Sequence, residues 1–279
     1  MSKYMFQRIL DKFKRHKQKH SFRDYSYKVI KINLEKEGPI EYARWDHPFY
    51  NTDEITQQRV DFYKQFVKPG DLVIDIGAHE GDTTVPMALA AGPSGTVLAL
   101  EPNPHVFPVL SANAKLNKDR TNIIPLNFAA TAHDGVFTFG SGDASYGNGG
   151  IVGYSTNTAR NNRYTFEVDG KNLDAYLNTH YPSQLKSLSL IKTDAEGYDK
   201  EILKNLKNIL RAYRPYVISE CFKQLTVEER EDLYNTFSEQ DYRVKYLPDF
   251  SPNSAQLISK EQMFDRKHFD ILAIPKEKA

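Results

Sequence analysis

Cysteine is nearly missing from this 279-residue chain: Cys221 stands alone. A single thiol excludes an internal disulfide and any cysteine-based zinc site, and it fits a reducing compartment. Charge of one sign is missing as well. Thirty-seven Lys and Arg face 36 Asp and Glu, a net charge of +1, so no global field draws the protein to nucleic acid or to a membrane. There is no long apolar run. The longest uncharged stretch, Thr83 to Leu100, contains Pro86, Gly92, Pro93 and Gly95, whereas a membrane span needs ~20 mostly apolar residues in unbroken helix. The start, Met1 to Arg8, lacks the apolar core of a secretory signal. What remains is ordinary globular composition, 40% apolar and 26% charged, enough for one large domain or two small ones. The expectation is a soluble, cytoplasmic protein without a transmembrane segment.

Charge is nevertheless uneven along the chain. Residues 1–31 hold seven Lys and three Arg against two Asp, a local +8, which leaves about −7 for the rest. Met5, Phe6, Ile9, Leu10 and Phe13 recur at helical spacing and predict a short amphipathic helix with a basic far side. Such an arm either makes weak contact with an anionic membrane surface or an acidic partner, or lays its apolar stripe on the main domain. From Asp53 the pattern is regular. Asp53–Phe66 reads as a helix stopped by Pro69-Gly70. Strand-like runs at Leu72–Ile76, Thr96–Leu100, Ile123–Asn127, Leu188–Thr193 and Tyr216–Ser219 then alternate with helical segments at Thr83–Ala91, His105–Leu116, Tyr198–Arg211 and Val227–Gln240. This alternation predicts βαβ units around a mostly parallel sheet. Tyr242–Leu247 and Phe269–Ile274 have no clear helix between them and are expected to pair antiparallel. Between strand-like Val136–Phe139 and Tyr164–Val168, the Gly-, Asn- and Ser-rich stretch Gly140–Arg163 reads as either a lid or a disordered loop.

The chemistry concentrates at strand ends. Val73 to Thr84 runs from an apolar strand into Asp75, then Gly77 and Gly81, then a helix that Asp82 can cap. Gly77 allows a tight turn and Gly81 a close backbone approach at a helix N-terminus. Glu101 ends the next strand twenty residues past Gly81, where an acid accepts hydrogen bonds from the hydroxyls of an adenosine ribose. The spacing is D-x-G-x-x-x-G and lacks the G-x-G pair that cradles a dinucleotide pyrophosphate. Asp75 suits a cation and repels phosphate, which favours S-adenosylmethionine over NAD. Asn127 and Phe128 end a third strand, where an amide and a ring could meet the adenine, although Phe128 could equally be core. Ser189 to Tyr198 places Lys192, Asp194 and Glu196 at the end of a buried-looking strand, and Glu220 ends another. The carboxyl edge beside the switch in strand order is where ligands bind in such sheets. A helix-capping role for Asp194 or Glu196 is the alternative. His79, inside the turn, either acts as base or orients the acceptor, or else fills the turn and bonds to backbone.

Taken together, Asp75-Ile-Gly-Ala-His-Glu-Gly-Asp-Thr-Thr, Leu100-Glu-Pro-Asn-Pro, Asn127 with Ala129, Asn172-Leu-Asp-Ala-Tyr-Leu and Ile191-Lys-Thr-Asp-Ala-Glu-Gly resemble the FkbM-type methyltransferase family from about Glu54 to Ile274. The resemblance implies an α/β, Rossmann-like, seven-stranded and mostly parallel sheet with helices on both faces. It implies S-adenosylmethionine as methyl donor, usually for transfer to a hydroxyl oxygen of a sugar, glycan or polyketide-like small molecule. By position, Asp75, Gly77, Gly81 and Glu101 would bind the donor, and Lys192, Asp194 and Glu196 form the family's late motif; Ala78, Asn127 and Phe128 are further candidates for the donor site. His79-Glu80 stands where the family often has Asn and an apolar residue, and Thr193 and Ala195 replace the commoner Ile and Val. Residues 1–50 are then a basic extension, and 51–279 the methyltransferase domain, with 140–163 its candidate lid.

Two arrangements can use the strand-end acids. Asp194 and Glu220 could hold a magnesium ion that acidifies the attacking hydroxyl. Alternatively, and preferred here, the reaction is metal-free, with Asp194 as general base and His79 next in line. The rival readings of the whole chain are a nicotinamide-dependent oxidoreductase on a similar sheet and a non-catalytic nucleotide-binding module.

Overall fold

The computed structural model describes residues 19–48, 55–153, 163–251 and 253–279. The short apolar runs become strands as their β-branched composition requires: β3 (Leu72–Ile76), β4 (Thr96–Leu100), β5 (Ile123–Leu126), β10 (Leu188–Thr193) and β11 (Tyr216–Cys221). All five pair in parallel, in the order β5-β4-β3-β10-β11. The sheet continues antiparallel through β14 (Phe269–Pro275) and β12 (Tyr242–Leu247), the pairing expected for two strands joined without a crossover helix. An eighth strand, the two-residue β13 (Gln256–Leu257), extends the seven expected at the β12 edge. Strand order reverses between β3 and β10, and a cleft opens at that switch point, outside the carboxyl ends of the strands.

Alternation along the strands builds two cores. Leu72, Ile74 and Ile76 face one layer, with Leu203, Leu210 and Leu233 from α5 (Asp199–Asn205), α6 (Lys207–Tyr213) and α7 (Val227–Ser238). Val73 faces the other, with Val60 and Tyr63 of α1 (Gln57–Tyr63) and Val85 of α2 (Thr84–Ala91). Side chains two apart share a face, so Asp75, Lys192, Glu220 and Asp270 all point toward the α1 layer. The expected helix over Tyr198–Arg211 is two helices that meet at Leu206. Asp82 is not the cap of α2. The N-cap position falls on Thr83, whose hydroxyl turns to Asp75 instead.

A second, four-stranded sheet, β6-β9-β7-β8, sits beyond β5 and is made of β6 (Ala129–Thr131), β7 (Gly135–Ser141), β8 (Gly150–Ile151) and β9 (Tyr164–Asn172). It leads into α4 (Leu173–His180), capped by the Asn172 side chain. Of the stretch read as a lid, residues 140–153 are described and hydrogen-bonded, and 154–162 lie outside the described residues. The amphipathic helix expected over residues 5–13 also lies outside them.

The sequence reading missed a hairpin, β1 (Tyr27–Leu34) with β2 (Gly38–Trp45). It docks on α3 (Phe107–Asn113) through Asn113, a buried side chain whose Oδ1 accepts from Ala43 N at 2.7 Å. Its Nδ2 donates to the carbonyls of Ala43, at 2.8 Å, and Glu80, at 2.7 Å. The Glu80 carboxylate in turn accepts from Trp45 N at 2.7 Å. These bonds clamp the hairpin to the turn that follows β3 and give the Glu80 side chain a structural use. Asn113→Ala leaves a buried amide and two carbonyls unpaired, and is expected to lower stability by about 2–3 kcal/mol in urea unfolding. A loss under about 0.5 kcal/mol would show that the clamp carries no weight.

Candidate functional site

The cleft holds a cavity of about 390 Å³ lined from every strand end around the switch point. Gly77 and His79 come from the turn after β3, Glu101 and Asn103 from the end of β4, and Phe128 from the residues after β5. Lys192, Asp194 and Glu196 come from β10 and its turn, and Asp270 from β14. Along the sheet edge the wall therefore changes in order, from a ring beyond β5, to a carboxyl at β4, to the glycine turn at β3, to a group of acids at β10 and β14.

The turn after β3 is held at both flanks. Gly77 N and Ala78 N donate to Leu100 O at 3.0 and 2.9 Å, and Asp194 N donates to Ile76 O at 3.0 Å. Gly77 has φ +76, and a Cβ there would lie 1.9 Å from the Asp194 carbonyl oxygen, so only glycine fits. Gly81 packs against Leu110, where a Cβ would stand 3.2 Å from Cδ1. Ala78 is fully buried and does not border the cavity.

Glu101 is buried yet on the cavity wall. Its Oε2 accepts from His79 N at 2.9 Å and its Oε1 from Asn103 N at 2.8 Å. Burial raises its pKa, opposed by the His79 ring and by these two amides. The amides fix the carboxyl plane while leaving acceptor capacity on each oxygen, a geometry fitted to a pair of vicinal hydroxyls.

Asp75 is placed differently from the sequence reading. It has no exposed surface and does not border the cavity, so it cannot touch a ligand's ammonium group directly. Its Oδ2 accepts from Thr84 Oγ1 at 2.6 Å and Thr83 Oγ1 at 3.1 Å, and its Oδ1 lies 3.6 Å from Lys192 Nζ. Lys192 bridges on to Asp194 Oδ2 at 3.5 Å. Burial alone would lower the Lys192 pKa, but Asp194 and Asp75 outweigh it and hold the ammonium charged. Asn127 is also set apart from the expected adenine contact. It stands outside the cavity lining, and its Nδ2 donates to the carbonyls of Glu101 and Pro102, bracing the β4 turn. Phe128 does line the cavity, with Tyr176 edge-on to its ring at 4.8 Å between centroids.

His79 takes a left-handed conformation, φ 50, and its Nε2 meets Gly147 O at 2.9 Å. That contact belongs to a roof formed by residues 143–151, inside the stretch read as a lid or a disordered loop. The Asp143 carboxylate accepts from Ser145 N and Gly147 N, Asn103 Nδ2 donates to Tyr146 O at 2.7 Å, and the Tyr146 ring stacks on His105 at 5.0 Å. Residues 148–151 then complete the cavity wall. The chain before the hairpin holds this roof from outside, where Ala144 N donates to Lys19 O and Arg23 N to Ser145 Oγ.

The helix after this turn, α5, has no side-chain cap at its N-cap residue Tyr198, and the amides of the turn itself are taken by the residue that follows. Asp199 accepts from Ala195 N and Gly197 N at 3.1 Å each. Around Asp194 the carboxyls are crowded. Burial, and next the Asp194 charge, push Glu196 and Asp270 up to about 7 and Asp199 to about 6. The same two causes raise Glu220, whose Oε2 is buried without a hydrogen-bond partner. Glu220 does not border the cavity. Among the described residues, no three His, Cys, Asp or Glu side chains are grouped so that they could hold a metal ion. Cys221 is buried, and burial pushes its thiol up to about 12. Asp270, Asn103 and Arg59 are cavity residues that sequence reasoning missed. The one signal for Asp270 was a charge inside the otherwise apolar Phe269–Ile274.

Residues 75–244 match the family model described as the methyltransferase FkbM domain. No curated protein matches the chain. Among solved structures, it is similar to methyltransferase FkbM from Methylobacillus flagellatus KT at 15% identity and TM-score 0.47, over 75% of this chain and 44% of that one. It is also similar to a SAM-dependent O-methyltransferase from Thermotoga maritima at 13% identity and TM-score 0.42, over 89% of this chain and 77% of that one. A precorrin-6y C5,15-methyltransferase from Geobacter metallireducens GS-15 shows 14% identity and TM-score 0.41, over 81% of this chain and 93% of that one. The chain thus spans less than half the length of the first of these.

The acid group has a consequence for stability. A carboxyl whose folded pKa is raised binds its proton in the folded state at pH values where the unfolded chain has lost it. Its contribution is full below the unfolded pKa and is lost as pH rises through the folded one. For Glu196, Asp199 and Asp270 the melting temperature of the ligand-free protein should therefore fall between about pH 5 and pH 8. Asp270→Asn, which cannot ionise, should flatten that fall in a series of thermal melts. A wild-type profile that is flat or rising over this range would contradict the placement of these acids.

Proposed function

Because the chain belongs to the FkbM methyltransferase family, whose model spans more than half of it, we propose that it transfers a methyl group from S-adenosylmethionine to a hydroxyl oxygen of a small molecule, on a sugar, glycan or polyketide-like acceptor. The observation that carries the donor reading is Glu101. A buried carboxyl, held in plane by two backbone amides, borders the cavity at the β4 end, one strand from the glycine turn. Phe128, one strand further, also lines the cavity, which supports adjacent seats for ribose and adenine.

Bound there, the donor supplies an electrophilic methyl group. The residues of the chain do the rest. The turn around Gly77 and the strand ends fix the donor against the acceptor, and alignment of two reactants alone is worth up to ~7–11 kcal/mol. Asp194, on the cavity wall with its side chain 46% exposed, is the base that takes the acceptor's hydroxyl proton. Lys192, 3.5 Å away, orients that carboxylate. Glu196 and Asp270, pushed up to about 7, hold protons near neutrality and offer the acceptor's other oxygens hydrogen-bond donors. His79 holds the roof through Gly147 and is the reserve base. Magnesium is not part of this reading. The Gly140–Arg163 stretch, as a lid, would close over the acceptor and exclude water. The chain is read as cytoplasmic, and no helix among its described residues is long and apolar enough to cross a membrane.

A thermal-shift panel of S-adenosylhomocysteine, NAD and NADP tests the donor. A ligand present at 100 times its dissociation constant stabilises by ~2.7 kcal/mol. S-adenosylhomocysteine should raise the melting temperature of the wild type, and Glu101→Ala should remove that shift. A shift with NAD alone would make the protein an oxidoreductase. In assays against a panel of hydroxylated acceptors, turnover should survive EDTA and fall in Asp194→Asn. Activity lost to EDTA and restored by magnesium would refute the metal-free base.

A further inference from the structure

Asp75 leaves a question about the far end of the donor. The methionyl part ends in a zwitterion, an ammonium and a carboxylate on one carbon, and both must leave water when the cavity fills. Asp75 does not meet that need, since it lies behind the wall and its charge is matched by Lys192. The turn amides of Gly77, Ala78 and His79 already donate to Leu100 O and the Glu101 carboxylate. Lys192 in turn sits between two carboxylates, at 3.6 Å from Asp75 and 3.5 Å from Asp194.

The wall does carry a second pair of opposite charges beside β3. Asp82 follows the turn, and Arg59 reaches it from the first full turn of α1. Both border the cavity, with side chains only 12% and 17% exposed for Arg59 and Asp82 respectively. Their closest atoms, Arg59 Nη1 and Asp82 Oδ2, are 3.8 Å apart, wider than the ~2.7–2.9 Å of a charge-assisted hydrogen bond. The Arg59 guanidinium also lies over the Phe250 ring, 4.5 Å from its centroid, and Phe250 lines the same cavity. The ring fixes the plane of the guanidinium, so its fork is presented at a set angle.

We propose that Arg59 and Asp82 form the seat for the amino-acid end of the donor, Arg59 receiving the carboxylate and Asp82 the ammonium. The inference rests on the donor reading above and adds residues to it. Two opposite charges side by side are complementary to a zwitterion laid across them, since each group of the ligand meets its opposite and every charge is countered. The position agrees with the order of the edge. Adenine at β5, ribose at β4 and the amino-acid end at β3 follow the donor from end to end, and the sulfur is left facing the acids of β10 and β14. The low exposure of both side chains makes each contact stronger than the same pair would be in open water.

Calorimetry on the full chain separates this seat from the rest of the site. Two probes are used: S-adenosylhomocysteine, and 5′-methylthioadenosine, which keeps the nucleoside and the thioether but ends in a methyl group in place of the amino acid. Arg59→Met should weaken S-adenosylhomocysteine about tenfold to hundredfold, the range for a charge-assisted pair, and leave 5′-methylthioadenosine within about twofold. Asp82→Asn should show the same selectivity. Arg59→Lys keeps the charge without the fork, so its loss should be smaller and again confined to S-adenosylhomocysteine. Unchanged affinity for S-adenosylhomocysteine in Arg59→Met overturns the assignment. So does an equal loss for both probes in Arg59→Met and Arg59→Lys, which would make Arg59 a support of the cavity as a whole. A wild-type chain that binds neither probe overturns the donor reading itself, and this seat with it.

Discussion

The ends of β3 and β10 approach so closely that a Cβ at position 77 would lie 1.9 Å from the carbonyl oxygen of Asp194. Everything at the carboxyl edge depends on that contact. It brings two strand ends from opposite sides of the switch point to one spot and ties them with the Asp194 N to Ile76 O bond. The turn after β3 must then fold back under Leu100, which places His79 N against the Glu101 carboxylate. A larger residue at 77 would push β10 away and lose the link between the glycine turn, the Glu101 carboxyl and the acids.

Charge is distributed along the edge in alternating signs. Asp75, Lys192 and Asp194 form a line from the core to the cavity, and each charge has an opposite neighbour within 4 Å. Beyond Asp194 the alternation fails, and burial together with its charge keeps protons on Glu196, Asp199 and Asp270 at pH values where ordinary carboxylates have lost them. The β3 side of the cavity is thus balanced and the side at β10 and β14 is rich in protonated carboxyls. That asymmetry supports the proposed reaction, in which one carboxylate takes a proton while its neighbours donate hydrogen bonds. It follows from the strand register, which sets Lys192 opposite Asp75 and Glu220 opposite Asp270.

Much of this was legible in the sequence because it is local. The bounds of β3, β4, β10 and β12 follow from short apolar runs ended by Gly, Pro or charge, and Glu101 stood out by its distance from the turn. The remainder depends on contacts between distant segments. The β1–β2 hairpin escaped notice because seven charged residues interrupt Tyr27–Trp45 and its first strand is mostly exposed, and its fixing points, Asn113 and Glu80, are 33 residues apart from each other. Asp75 and Asn127 occupy motif positions, yet depth in the sheet, invisible to spacing, sets the first behind Lys192 and turns the second to backbone carbonyls. Asp199 turns back to the amides of Ala195 and Gly197 and holds the turn that carries Asp194 and Glu196, a bond between residues four and two apart that no motif announces. Asp143 and Tyr146 lay in the candidate lid, but its composition gave no sign of which of its residues would tie it down.

Whether this cleft is the donor site of a methyltransferase is decided by a crystal structure of the protein with S-adenosylhomocysteine. The two ribose hydroxyls should lie on the Glu101 carboxylate, the adenine against Phe128, and the sulfur toward Asp194. A ligand bound outside this cleft, or seated in it with the ribose away from Glu101, would overturn the donor reading.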